Sequence, residues 1–105
     1  MLEVTEISRI KETLRGQKNP LVEIFSLLGD KNRFLIIKLL VEEGEMCVSD
    51  LANVLDISVS AVSQHLRILE MSRIVESEKK GQMMCYKPKI EDPRIKKIIN
   101  QTLFK

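Results

Sequence analysis

Histidine is nearly missing from this chain, with His65 the only one, and glycine is scarce at four residues. No Ser/His/Asp ordering lies near a glycine elbow, and no glycine-rich loop is present to cradle a phosphate. The paired acids Glu42-Glu43 and Glu91-Asp92 are adjacent in sequence and read as solvated surface, so no enzyme is expected. Only two cysteines occur, Cys47 and Cys85, without the spacing of a zinc site, which points to a reducing cytoplasm and free thiols. No apolar run approaches the ~20 residues that cross a bilayer. The N-terminus carries Glu3 and Glu6 and no basic-then-apolar leader, so secretion is not expected. These absences leave a soluble, cytoplasmic binding protein with no membrane partner and no cofactor.

Charge of one sign is not in excess either, since 17 Lys and Arg face 15 Asp and Glu for a net +2. Its distribution is uneven. From Ser60 to Ile90 six basic residues (Arg67, Arg73, Lys79, Lys80, Lys87, Lys89) stand against three acidic ones (Glu70, Glu76, Glu78). From Val41 to Asp56 the chain carries Glu42, Glu43, Glu45, Asp50 and Asp56 and no basic residue. A polyanion would repel the second stretch and attract the first.

The most informative stretch is Val48–Val75. Leu51, Ala52 and Leu55 form an apolar stripe at helical spacing, Asp56-Ile57 interrupts it, and Ser58 or Ser60 can cap a second helix whose apolar face is Val62, Leu66 and Leu69. This predicts two short helices joined by a four-residue turn. The second helix carries Ser60, Ala61, Ser63, Gln64, His65 and Arg67 away from that apolar face. Small residues at its start admit the backbone to base edges, and amide and guanidinium groups supply bidentate hydrogen bonds to adenine and guanine in the major groove.

A basic hairpin over Ile74–Lys87 follows directly. Ile74-Val75 begin one arm, Lys79-Lys80-Gly81-Gln82 turn the chain, Met83-Met84-Cys85-Tyr86 return it, and Pro88 ends the pairing. Lysines at a hairpin tip have no core to fill, so Lys79 and Lys80 are expected on phosphates or in the adjacent minor groove.

Three further helices are expected before the reading head. One spans Thr5–Arg15, with Val4, Ile7, Ile10 and Leu14 as a narrow apolar stripe stopped by Gly16; the next spans Leu21–Leu28, with Pro20 at its start and Gly29 after it. The third is capped by Asp30 or Asn32 and is apolar nearly all round from Phe34 to Val41, so it is the expected core. Met46-Cys47-Val48 suit a brief edge strand. A last helix opens with Asp92-Pro93 and carries Ile95, Ile98, Ile99, Leu103 and Phe104.

The runs LGDKNR at Leu28–Arg33, EMCVSDL at Glu45–Leu51 and VSQHL at Val62–Leu66 are similar to the ArsR/SmtB group of winged-helix repressors, over about residues 20 to 90. That resemblance implies a homodimeric transcriptional regulator, usually a repressor released from its operator by a metal, metalloid or redox signal. Where metal-sensing members carry a Cys-Val-Cys-Asp-Leu-Cys-type pattern, this chain reads Cys47, Val48, Ser49, Asp50, Leu51, Ala52, leaving one thiolate of three. The final-helix carboxylate/histidine pairs of other members have no imidazoles here, with Arg94 and Lys105 near the corresponding places. No metal site is therefore expected. Arg73 stands where members usually have the glycine that ends the reading helix, a costly left-handed position for arginine.

The expected architecture is mostly α with a small β-hairpin wing, an α+β winged helix-turn-helix forming a single domain over residues 1–105. Residues 46–90 are the head and wing. Residues 1–19 and 92–105 are expected to form a two-fold dimer interface, since a 105-residue chain gains from burying both stripes against a second copy. Such a dimer would read an inverted repeat of double-stranded DNA. The expected contacts are Ser60, Ser63, Gln64, His65 and Arg67 on bases. Should the edge strand lie beside the hairpin, Cys47 and Cys85 approach closely enough for a redox-active disulfide, the alternative being two small apolar fillers. A protein- or RNA-binding adapter built on the same fold remains open.

Overall fold

The computed structural model describes residues 1–16 and 20–98. In chain order the elements are α1 (Val4–Gly16), α2 (Pro20–Leu28), α3 (Lys31–Glu43), β1 (Met46–Cys47), α4 (Val48–Leu55), α5 (Val59–Met71), β2 (Val75–Lys80), β3 (Met83–Pro88) and α6 (Pro93–Ile98). The strands form one antiparallel sheet in the order β1-β3-β2, with Met46 opposite Tyr86 and Cys47 opposite Cys85. Across the hairpin Val75 faces Pro88 and Lys80 faces Met83, so the turn is the pair Gly81-Gln82. Gly81 takes the positive φ of 65° that such a tight turn demands.

Capping explains where α3 begins and ends. Asp30, one of the two candidates, holds an extended backbone while its carboxylate accepts the amide protons of Asn32 and Arg33 at 2.9 and 3.1 Å. The Arg33 amide foremost keeps the Asp30 carboxyl below its ordinary value. At the far end Gly44, at φ 87°, donates its N–H to the Leu40 carbonyl at 2.8 Å. Between these caps Ile36, Ile37 and Leu40 are buried and Phe34, Leu39 and Val41 pack beside them.

That helix is the centre of the core. Leu51 and Ala52 of α4, Val62, Leu66 and Leu69 of α5, Ile74 and Val75 at the start of the wing, and Ile24 and Leu27 of α2 all close on it. Ile95 of α6 is fully buried in the same cluster, so the first turn of that helix serves the chain's own core rather than standing free for a partner. The rest of its expected stripe, Ile99, Leu103 and Phe104, lies outside the described residues, as do residues 17–19.

α1 is different in kind. No residue in it is buried, and Val4, Ile7, Ile10 and Leu14 all face solvent. Packing of this stripe onto the chain's own core, the plain alternative to dimerisation, does not occur. Among the described residues no helix is long and apolar enough to cross a membrane.

The start of α6 is fastened by charge. Asp92 caps it, accepting the Arg94 amide at 2.8 Å, and both carboxylate oxygens take bonds from the Arg94 guanidinium at 2.8 and 3.1 Å. Arg94 also donates to the Ser72 carbonyl at 2.8 Å, joining α6 to the end of α5. The guanidinium holds the Asp92 carboxyl below its ordinary value of 3.8. A carboxyl depressed in the folded state adds stability that is complete above its unfolded value and lost as acid protonates it. Asp92→Asn keeps a capping side chain but not the ion pair, so it should cost about 1 kcal/mol at pH 7 by urea denaturation. The gap to the parent should close as pH falls through and below 3.8; a gap that persists unchanged in acid would refute the ionic origin.

Candidate nucleic-acid interface

The two helices of the head are joined by a turn one residue shorter than expected, Asp56-Ile57-Ser58. Asp56 ends α4 in the left-handed region at φ 57°, which short polar residues tolerate, and the Ile57 amide reaches back to the Ala52 carbonyl at 3.2 Å. Ser58 then caps α5, its hydroxyl accepting the Ala61 amide at 3.0 Å, which decides between the two serines the sequence offered.

The direction of every α5 side chain follows from burial of Val62, Leu66 and Leu69. With these three turned inward, 100° per residue places Ser60, Gln64 and Arg67 on the outer face, and all three are exposed. Ser63 is half-buried at the edge. Met71, 77% exposed, continues the outer face beyond Arg67, with Ile68 beside it. Its spacing of four from Arg67 and seven from Gln64 marks it as a neighbour, a signal the reading of polar residues alone passes over.

His65 does not join them. Three residues after Val62 and four before Leu69, it is on the inner edge, its side chain 17% exposed and its Nε2 3.8 Å from Asp30 Oδ1. Nδ1 is buried without a hydrogen-bond partner. The only histidine therefore faces the cap of α3 rather than the outer face on which base contact was expected.

In the wing the two expected phosphate contacts have unlike surroundings. Lys79 is exposed at the tip. Lys80 instead lies 2.8 Å from a carboxylate oxygen of Glu45, just before β1, and that contact raises its affinity for the proton. Glu76 pairs with Lys87 across the hairpin at 3.5 Å. The side of β2 nearest α5 is tied down by the Ser77 hydroxyl, which donates to Glu70 at 2.6 Å. Tyr86, packed against the core, has its hydroxyl pushed above its ordinary value by burial, with the Glu70 charge adding to it.

Cys47 and Cys85 are brought together. They are directly paired in the β1·β3 ladder, their Cα atoms 3.7 Å apart, and their sulfurs are joined as a disulfide; the free thiols expected from composition are not what this structure contains. A three-thiolate metal site does not fit the residues at this place. Cys47 is followed by the hydroxyl of Ser49 and the methyl of Ala52, and its sulfur is bonded to Cys85. Among the described residues no three His, Cys, Asp or Glu side chains cluster as a metal would need.

This arrangement of a capped outer helix, a short turn and a tied wing can be set beside known proteins. The family model described as bacterial regulatory protein, arsR family, matches residues 30–77. The cadmium resistance transcriptional regulatory protein CadC of Listeria innocua is 39% identical over 82 residues, covering 77% of this chain and 69% of that protein. The chain belongs to the ArsR family. An HTH-type transcriptional regulator of Methanocaldococcus jannaschii is 42% identical over 77 residues, covering 73% of this chain and 84% of the relative. Among solved structures, HlyU from Vibrio cholerae superimposes with a TM-score of 0.67 at 28% identity, over 76% of this chain and 84% of that one. The fold is thus the winged helix of ArsR-type regulators, and its function is DNA-binding transcriptional regulation. At the level of the family these are regulators, not enzymes.

The end of α5 departs from the family's expected glycine without losing the geometry. Arg73 adopts the left-handed conformation at φ 61°, donating its N–H to the Glu70 carbonyl at 2.9 Å while Ile74 donates to the Leu69 carbonyl at 3.0 Å. These two bonds are the Schellman pattern that glycine ordinarily closes. The turn out of α5 is closed by the same two bonds, and arginine bears the steric cost. Arg73→Gly should therefore raise stability by about 1 kcal/mol, read as a higher urea midpoint; an unchanged or lower midpoint would show that the arginine side chain compensates.

Proposed function

We propose that two copies of this chain form a repressor that reads an inverted repeat, placing one α5 in each of two successive major grooves ~34 Å apart. Ser60, Ser63, Gln64 and Arg67 contact bases. Lys79 and Lys80 meet phosphates beside them, Lys80 after parting from Glu45. His65, turned inward, holds α5 against α3 instead of touching DNA. The observation that carries this reading is the uncovered face of α5, which presents a hydroxyl, an amide and a guanidinium in line while the opposite face is wholly buried. A regulator that binds operator DNA works in the cytoplasm, where that DNA lies.

The dimer is supported by α1. Four exposed apolar residues at helical spacing gain nothing from this chain's own core, and fully burying each is worth about 1.5–3 kcal/mol. Ile7→Asp with Leu14→Asp should convert the protein to a monomer in sedimentation measurements and weaken binding to a full inverted repeat far more than to a half-site. A dimer that survives both substitutions would remove α1 from the interface.

The exposed pair Ile68 and Met71 favours a second reading, in which the same face meets a protein. The two are separated by salt, because release of counterions makes duplex binding fall steeply as salt rises. Gln64→Ala should cost about 1–3 kcal/mol at one base position and relax preference there. Lys79→Ala should weaken all sequences alike and reduce the slope of log affinity against log salt by about one. Identical sequence-independent losses in the two variants would overturn this division of labour.

A further inference from the structure

We propose that the uncharged cleft between the start of α5 and the wing seats one deoxyribose of the DNA backbone, so that this protein rejects a ribose at that place. This rests on the reading of α5 and the wing as the DNA-contacting surface and adds to it the recognition of the sugar.

The cleft is open, has a volume of about 200 Å³, and is lined by Val48 and Ser49 of α4, Val59 of α5, and Gln82, Met83 and Met84 of the wing. Its place beside the reading helix follows from the helix period. Val59 precedes Glu70 by eleven residues, three turns to within about 20° at 100° per residue, so the two share one side of α5. Glu70 accepts the Ser77 hydroxyl of β2, which makes that side the one facing the wing. Val59 is therefore turned toward the wing rather than outward with Ser60, Gln64 and Arg67. Val59, Met83 and Met84 are all exposed although apolar, and none of the three belongs to the core.

A duplex with α5 in its major groove and the wing on the flanking phosphates must carry one sugar-phosphate strand across the surface between them, because that strand separates the major groove from the adjacent minor groove. That surface is this cleft. Its chemistry suits a sugar better than a phosphate: no lining residue is charged, and four of the six carry side chains of hydrocarbon or thioether. Deoxyribose matches them with the C–H face at its C2′. Lys79, exposed and opposite Met84 in the hairpin, meets a phosphate next to that sugar. Ser49 in the first turn of α4 and Gln82 in the wing turn supply a hydroxyl and an amide for phosphate oxygens. A ribose in the same place would lose water from its 2′-hydroxyl against Val59, Met83 and Met84, whose thioethers are weak acceptors at best. An unpaired hydroxyl buried in this way is the source of the discrimination.

The test uses the full chain and the duplex that it selects from a randomised pool, with single ribonucleotides placed in turn along each strand of a half-site. At one or two neighbouring positions of one strand the ribonucleotide should lower affinity about fivefold or more, and elsewhere by less than about twofold. A 2′-fluoro sugar, which takes the pucker of ribose without a hydroxyl to bury, should bind as the deoxy duplex does at those positions; an equal loss there would assign the effect to helix shape and overturn the seat. Met84→Gln and Val59→Ser, checked for folding by circular dichroism, each place a polar group beside the hydroxyl. At least one of them should bring the ribose penalty below about twofold while leaving the salt slope unchanged. Lys79→Ala should weaken deoxy and ribo duplexes alike and leave the penalty intact. A penalty that both cleft variants leave unchanged, or a scan without a sensitive position, overturns the sugar seat alone. A protein that selects no duplex from the pool overturns the DNA reading beneath it.

Discussion

Burial of Val62, Leu66 and Leu69 against α3 fixes nearly everything else about the molecule. An α-helix has one rotational freedom about its axis, and these three contacts remove it, so the outward direction of Ser60, Gln64 and Arg67 is settled by residues that touch no ligand. The cap at Ser58 and the left-handed Asp56 then set how far α5 advances relative to α4. Position along the axis and rotation about it are thus controlled separately, one by hydrogen bonds at the turn and the other by apolar packing. A helix held this way can present long polar side chains without spending their contacts on its own stability.

The end of α5 is a junction. Its last carbonyls accept from Arg73 and Ile74, the Ser72 carbonyl accepts from Arg94, and Glu70 takes the Ser77 hydroxyl. Wing, reading helix and α6 therefore meet within four residues, Glu70 to Arg73. Each carries a different kind of tie: a backbone turn, a charged bond into a helix C-terminus, and a single hydroxyl. Arg94 is the firmest, since a cation at the negative end of a helix is favoured by the dipole as well as by the bond itself.

What could be read from the sequence was what depends on local pattern. The order of elements, the buried face of α5, Asp30 and Ser58 among the candidate caps, and the strand at Met46-Cys47 all follow from spacing and residue type. The pairing of Cys47 with Cys85 was legible as a condition, because an edge strand beside β3 brings them opposite each other. His65 and Lys80 have intramolecular neighbours that the sequence pattern does not show, for different reasons. The position of His65 was available in principle, being at i+3 and i−4 from buried residues, but its polar ring was read as belonging outside. Lys80 was not available: its partner Glu45 lies 35 positions earlier in the chain, and only the folded sheet joins them. Long charged side chains choose partners by tertiary proximity, which no periodicity encodes.

The charge pattern gains a different meaning once folded. The acidic stretch from Val41 to Asp56 reads in one dimension as a region held away from a polyanion. In the fold its Glu45 lies against the wing and neutralises one of the cations expected to attract that polyanion. Net charge per segment therefore overstates the positive field at the wing tip, because the carboxylate 2.8 Å from Lys80 belongs to Glu45 of the acidic stretch. Exposed pairs of this sort are weak in water and yield readily to a phosphate. Lys80 thus has an internal carboxylate, held at the edge of β1, where an external phosphate would otherwise be its partner.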